Sequence, residues 1–179
     1  MSEDEVVEEA KVNEVNSSLM PKQRPGRSRQ DYPTPSNFLD AVKRRFDVEK
    51  WVIDLAADNN NRVIPQYYGK DSCLGEDSLV ENWASWKGDL WLNPPYGNIE
   101  PWVKKAHEST QGGANRIFVL GPASVGSNWF ANWVFDKARV ILLRPRISFD
   151  GINPYPKDIM LLIYGQGRAE VSLWDWVHD

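Results

Sequence analysis

The chain has 179 residues, 41% of them hydrophobic, and a formal net charge of -4; that length fits one globular core and leaves no room for a second full domain. The single cysteine, Cys73, closes no disulfide within the chain, and His107 and His178 stand too far apart in sequence to suggest zinc ligation, so neither a disulfide framework nor a metal centre is expected. No apolar run reaches the roughly 20 residues of a membrane span, and the first residues are acidic where a secretory leader is basic, which predicts a soluble, cytoplasmic protein.

Residues 1–20 carry Glu3, Asp4, Glu5, Glu8, Glu9 and Glu14 against Lys11, with no periodic apolar stripe. Residues 21–30 carry Lys22, Arg24, Arg27 and Arg29 among prolines and a glycine. This reads as a disordered acidic tail and basic arm over residues 1–30, ahead of one folded domain over 31–179. The arm is either a solvated linker or a contact for phosphates.

From Ser36 to Phe46, Leu39, Val42 and Phe46 recur at helical spacing behind a Ser36 cap and Pro35, which predicts a helix. Trp51 to Asp54 is a short apolar strand ending in an acid, followed by Ala56, Ala57 and an Asn-rich loop. Asp89 to Leu92 and Ile117 to Leu120 repeat the pattern of strand, turn and helix. Trp102, Val103 and Ala106 mark the first of those helices, and Trp129, Trp133 and Val134 the second. Such alternation predicts an α/β fold with a mostly parallel sheet and helices on both faces. Val140 to Leu143 and Ile159 to Tyr164, with the loop 144–158 between them, are expected as an antiparallel pair at the sheet edge. The nine tryptophans are expected in the core or in a pocket wall. Ligands of an open sheet bind beyond the carboxyl ends of its strands, which directs attention to Asp54, to 93–96 and to the loop after Leu120.

Directly after Leu92 comes Asn93-Pro94-Pro95-Tyr96-Gly97. Two successive prolines stiffen the backbone and bring no N–H, so the turn displays one carboxamide, free carbonyl oxygens and an aromatic ring. Such a set suits an exocyclic amine whose lone pair is delocalised into a ring. The Asn93 side-chain oxygen and the Pro94 backbone oxygen can accept both amine hydrogens, favour the pyramidal nitrogen and stabilise positive charge developing on it. Tyr96 can stack on a base, which must leave its duplex to be reached. The same four residues, read alone, also fit an ordinary proline turn.

The turn matches the signature [DNS]PP[YFW] of the amino-methyltransferases. Over residues 31–165 the chain resembles the small phage-type DNA N6-adenine methyltransferases of the Dam group. The likeness is carried by Asp31-Tyr32-Pro33-Thr34-Pro35, by Asp54 with Ala56, Ala57 and Asn60, by Asp77-Ser78-Leu79, by 93–97 with Trp102 after it, and by Arg146 with Phe149. It implies a Rossmann-like methyltransferase fold and the transfer of a methyl group from S-adenosylmethionine to N6 of adenine in DNA, with Asn93, Pro94, Pro95 and Tyr96 as the catalytic turn. It further implies that Tyr32, Thr34 and Pro35 line the cofactor pocket, that Ala56 is a small residue where the backbone approaches the cofactor, that Asp54 holds the methionine ammonium, and that Asp77 accepts from the cofactor's adenine amine. Without the resemblance, Thr34-Pro35 is a helix entry, Asp54 a loop cap and Asp77 a solvated acid. DNA is expected along Arg24, Arg27 and Arg29, and around Arg144, Arg146 and Phe149.

The chain departs from the broader methyltransferase pattern. A glycine-rich turn after the first strand is absent, and no acid is evident for the cofactor ribose unless Asp58 or Asp71 reaches it. No separate recognition domain follows the turn, so base reading is expected from loops 59–75 or 144–158, or from a second subunit. The rival readings are a methyltransferase acting on a protein glutamine amide, an RNA base or N4 of cytosine, and a non-catalytic nucleic-acid-binding module. The intact 93–96 turn speaks against the module.

Overall fold

A computed structural model describes residues 33–165 and 167–179. Six strands form one sheet: β1 (Trp51–Asp54), β2 (Asp89–Leu92), β3 (Arg116–Pro122), β4 (Arg139–Arg144), β5 (Ile159–Tyr164) and β6 (Val171–Asp175), in the order β1-β2-β3-β5-β4-β6. The pairs β1–β2 and β2–β3 are parallel, β5 is antiparallel to both its neighbours, and β6 is parallel to β4. Five strands therefore run one way and β5 alone runs back.

Alternation along the strands separates two cores. Leu90, Leu92, Ile117, Val119, Leu162 and Tyr164 face one side, with Val103 and Ala106 of helix α2 (Glu100–Gln111) and Phe130 of α3 (Asn128–Trp133). Trp91, Phe118, Leu120, Ile141, Leu161 and Ile163 face the other, under Phe38, Leu39, Val42 and Phe46 of α1 (Ser36–Phe46). All six residues of β5 are buried, as expected of a strand covered on both faces. Every tryptophan packs into one of the two cores, and Trp102 also reaches the cavity described below. No helix among the described residues is long and apolar enough to cross a membrane.

The α/β sheet with helices on both faces and an antiparallel β4–β5 pair is the architecture expected from the sequence. Two details differ. Residues 171–175 add a strand beyond β4, so the antiparallel pair lies one strand in from the edge. That strand buries only Trp174 and leaves Val171 and Leu173 exposed, so it lacks the apolar run that marks the others. At α1, Pro35 takes the cap position in place of Ser36, and its carbonyl accepts the Leu39 N–H at 3.1 Å without any side-chain cap.

Candidate active site

The carboxyl ends of β1 and β2 open onto a cavity of about 260 Å³. Thr34, ahead of α1, closes one side, and Ala56, Ala57, Asp58 and Asn61 follow β1 along another. Tyr68, Gly69 and Lys70 come from a segment that runs beside the end of β1: the Asp54 N–H donates to Gln66 O and the Tyr68 N–H to Asp54 O, both at 2.9 Å, and the Ala57 N–H donates to Tyr68 O at 3.0 Å. Gly69 has φ +139°, and a Cβ built on it would lie 1.8 Å from the Ala57 carbonyl oxygen. Only glycine lets these two walls approach so closely.

Asp54 lies at the floor, 2% exposed. Its carboxylate accepts the Ala56 N–H at 3.3 Å and the Val63 N–H at 3.0 Å. Burial dominates and pushes the carboxyl up to about 7, against the lowering effect of those two donors, and no charged neighbour contributes. A buried carboxylate with no cation paired to it can take a positively charged group, whose arrival would relieve the desolvation.

Asn93 opens the turn after β2 and is held at both ends of its amide. Its Nδ2 donates to Thr34 Oγ1 at 3.4 Å, and the Tyr96 hydroxyl donates to its Oδ1 at 3.1 Å. A carbonyl oxygen has two lone pairs, so Oδ1 retains one acceptor position. Burial, with Tyr155 nearby, pushes the Tyr96 phenol far above its ordinary value, so it stays a neutral O–H donor. The Tyr96 ring meets Tyr155 edge-on at 6.1 Å, and Tyr155 meets Phe149 at 5.4 Å. Pro95 lines the cavity beside Asn93, while Pro94 is buried behind it.

The structure thus brings Thr34, Asp54, Ala56, Asn93 and Pro95 around one cavity, with Tyr96 bonded to Asn93. Other candidates stand apart. Pro35 serves the entry to α1. Asp77 is exposed and caps a 3-10 turn by accepting the Leu79 N–H at 3.0 Å, while its neighbours Glu76 and Ser78 line the cavity. Asp58 lines it too, its carboxylate accepting the Asn60 and Asn61 N–H groups, whereas Asp71 does not. Arg146 donates to Asp158 at 2.8 Å and Arg144 lies 3.8 Å from Asp175; both are exposed and neither lines the cavity. Phe149 packs against the α1 core. Tyr32, Arg24, Arg27 and Arg29 lie outside the described residues. No group of His, Cys, Asp and Glu among the described residues is placed to hold a metal ion. Sequence reasoning passes over Tyr68, Gly69, Lys70 and Glu76; the one local signal is a glycine following two tyrosines in a stretch without helical or strand periodicity.

Residues 22–160 match the protein family described as DNA N-6-adenine-methyltransferase (Dam). A protein of Escherichia phage T1 named DNA N-6-adenine-methyltransferase is 28% identical over 126 residues, which cover 70% of this chain and 50% of that protein. The chain therefore spans about half the length of this curated relative. Among solved structures, a predicted O-methyltransferase from Agrobacterium tumefaciens aligns over 48% of this chain and 39% of its own, with 19% identity and a TM-score of 0.29, an overlap too partial to carry an argument.

Proposed function

Because the chain belongs to the DNA N-6-adenine-methyltransferase (Dam) family, we propose that it methylates N6 of adenine in DNA with S-adenosylmethionine as donor. The observation that carries this reading is the Asn93 carboxamide, held between Thr34 and Tyr96 at the wall of the cavity that has Asp54 at its floor.

The residues present fit the cofactor. Asp54 would take the ammonium of its methionine half, Ala56 and Ala57 are small residues on the wall, Gly69 lets the two walls close on each other, and Trp102 and Tyr68 offer apolar faces. Asp58, Asn61, Lys70, Glu76 and Ser78 are polar groups of the lining available to the adenosine half. The cofactor supplies an electrophilic methyl group on sulfur. The remaining work falls to the turn: Asn93 Oδ1 and the Pro94 carbonyl oxygen accept the two hydrogens of the amine, which localises its lone pair and stabilises the charge that develops on nitrogen. The Tyr96 hydroxyl and Thr34 fix the amide so that Oδ1 needs no reorganisation when the amine arrives. The surplus proton on nitrogen then passes to water.

A delocalised amide or base nitrogen poses the same problem whether it belongs to DNA, RNA or a protein glutamine, and the turn alone does not choose among them. The family assignment supports DNA, and so does the basic arm, whose Lys22, Arg24, Arg27 and Arg29 we assign to phosphates together with the exposed Arg144 and Arg146. The deciding experiment offers labelled S-adenosylmethionine with unmethylated DNA, RNA and protein in turn, then digests the DNA to nucleosides. Label in N6-methyldeoxyadenosine is the expected result. Label in cytosine, RNA or protein redirects the substrate, and label nowhere overturns the reading.

A further inference from the structure

We propose, resting on the DNA reading above, that Ile152 is the side chain that enters the base stack of a DNA duplex and fills the gap left by an extruded adenine. β4 runs parallel to β2, so the loop 145–158 after it leaves the sheet at the same edge as the Asn93 turn. The rings of Tyr155 and Tyr96 join that loop to the turn. Ile152 stands three residues from Tyr155, which places it within about 11 Å of that residue along the chain.

Ile152 is 83% exposed, the most of any large apolar residue so described. A lone exposed aliphatic is ordinary on a protein surface. What sets this one apart is its backbone. The Asp150 carboxylate accepts the N–H groups of Ile152 and Asn153, both at 2.8 Å, the Ser148 hydroxyl at 3.0 Å and the Asn153 amide at 3.3 Å. Those donors hold the Asp150 carboxyl down at about 2, so the cap remains charged at any working pH. Gly151, at φ +73°, turns the chain between cap and tip. The backbone of the tip is thus tied to Asp150 while it keeps a branched aliphatic group in water, against the direction in which the hydrophobic effect acts.

A wedge needs both properties. A side chain that must separate stacked bases has to be apolar and must not fold back, and isoleucine is among the residues that proteins insert between base steps. The adenine amine cannot be reached inside the duplex, so extrusion leaves a cavity whose partner thymine has lost its pair. At the base of the same loop, Arg144 and Arg146, beside Asp175 and Asp158, still keep 66% and 47% of their side chains exposed and open to phosphates next to an inserted residue.

The test compares the wild-type protein with Ile152→Ala and Ile152→Met on unmethylated genomic duplex DNA. Single-turnover transfer of labelled methyl gives the rate, and permanganate oxidation of thymine on the same DNA reports unpaired partners of extruded adenines. Ile152→Ala should slow transfer by at least about tenfold, because unstacking is no longer offset, and should lose the reactive thymines. Ile152→Met should retain both. Cofactor affinity and melting temperature should match across all three, since the residue touches neither the cavity nor the core. An Ile152→Ala protein that transfers at the wild-type rate, or that is slower with thymine reactivity intact, overturns the wedge alone. A wild-type protein that puts no methyl into DNA overturns the functional reading and the wedge with it.

Discussion

Lowering the pH from about 8 to about 6 should weaken S-adenosylmethionine binding roughly tenfold through Asp54. Burial raises this carboxyl from 3.8 to about 7, so the free protein carries it half protonated near neutrality. At ~1.36 kcal/mol per unit, that shift of roughly three units sets about 4 kcal/mol against the ionised form. An ammonium seated beside Asp54 removes much of that penalty and requires the carboxylate to be charged. Below the free-protein value each further pH unit therefore weakens binding by about a factor of ten, and above it the affinity is flat. The sign for stability is the opposite of the usual aspartate case. Between 3.8 and about 7 the native protein holds a proton that the unfolded chain has lost, so the ligand-free protein becomes less stable as pH rises through that window. Titration calorimetry in two buffers of different ionisation heat reads the coupling directly: about half a proton released at pH 7, close to one at pH 6 and almost none at pH 8. Asp54→Asn should abolish the release and flatten the profile. It should also weaken binding at pH 8 by about 10- to 100-fold, the scale of a lost charge-assisted hydrogen bond. Wild-type affinity that is level from pH 6 to 8 with no proton release would remove Asp54 from the ligand's cation.

Asn93→Ala should lower single-turnover methylation by roughly 100-fold or more while cofactor affinity stays near wild type, because the amide acts on the amine rather than on the cofactor; a normal rate refutes the assigned role. Tyr96→Phe keeps the ring and removes the bond to Asn93 Oδ1, so its rate should fall about fivefold, the value of one hydrogen bond, and Tyr96→Ala should fall further. Equal rates for the two variants would deny the ring any part. Gly69→Ala should lower both the melting temperature and cofactor affinity, since its Cβ would sit 1.8 Å from the Ala57 carbonyl oxygen, and differential scanning fluorimetry with and without cofactor measures both. Deleting residues 1–30 should flatten the salt dependence of DNA binding by up to ~0.9 in log-log slope for each phosphate that the arm neutralises, and an unaltered slope identifies the arm as a linker.

The legible parts of the fold are those whose physics is local. β5 is an uninterrupted apolar run, as is β2 after Asp89, because the sheet is covered on both faces, and α1 shows its buried face at Leu39, Val42 and Phe46. The turn at 93–96 is readable because its function is written in adjacent residues. What escapes depends on contacts distant in sequence or weak in pattern. β6 buries one residue of five, so the edge leaves little hydrophobic signal. The segment 66–69 is recognised as a wall only by its hydrogen bonds to 54–57, and the Asn93–Thr34 bond spans 59 positions. Asp54 is legible as a strand-end acid. Its readiness to hold a proton follows from burial, which depends on the whole surrounding structure.

Strand direction has a consequence for how such a protein can be altered. With five of six strands ending at one edge, the connections 55–88, 93–99, 123–127 and 145–158 all leave the sheet there, and the first two line the cavity. The β4–β5 ladder closes at Leu142 and Met160, and the loop between the two strands begins beyond it. Only the exposed tip of that loop, 150–154, is free to change in length and composition, because Ile147 is fully buried in the α1 core and Tyr155 packs on Tyr96; replacing the base of the loop would disturb the Asn93 turn itself.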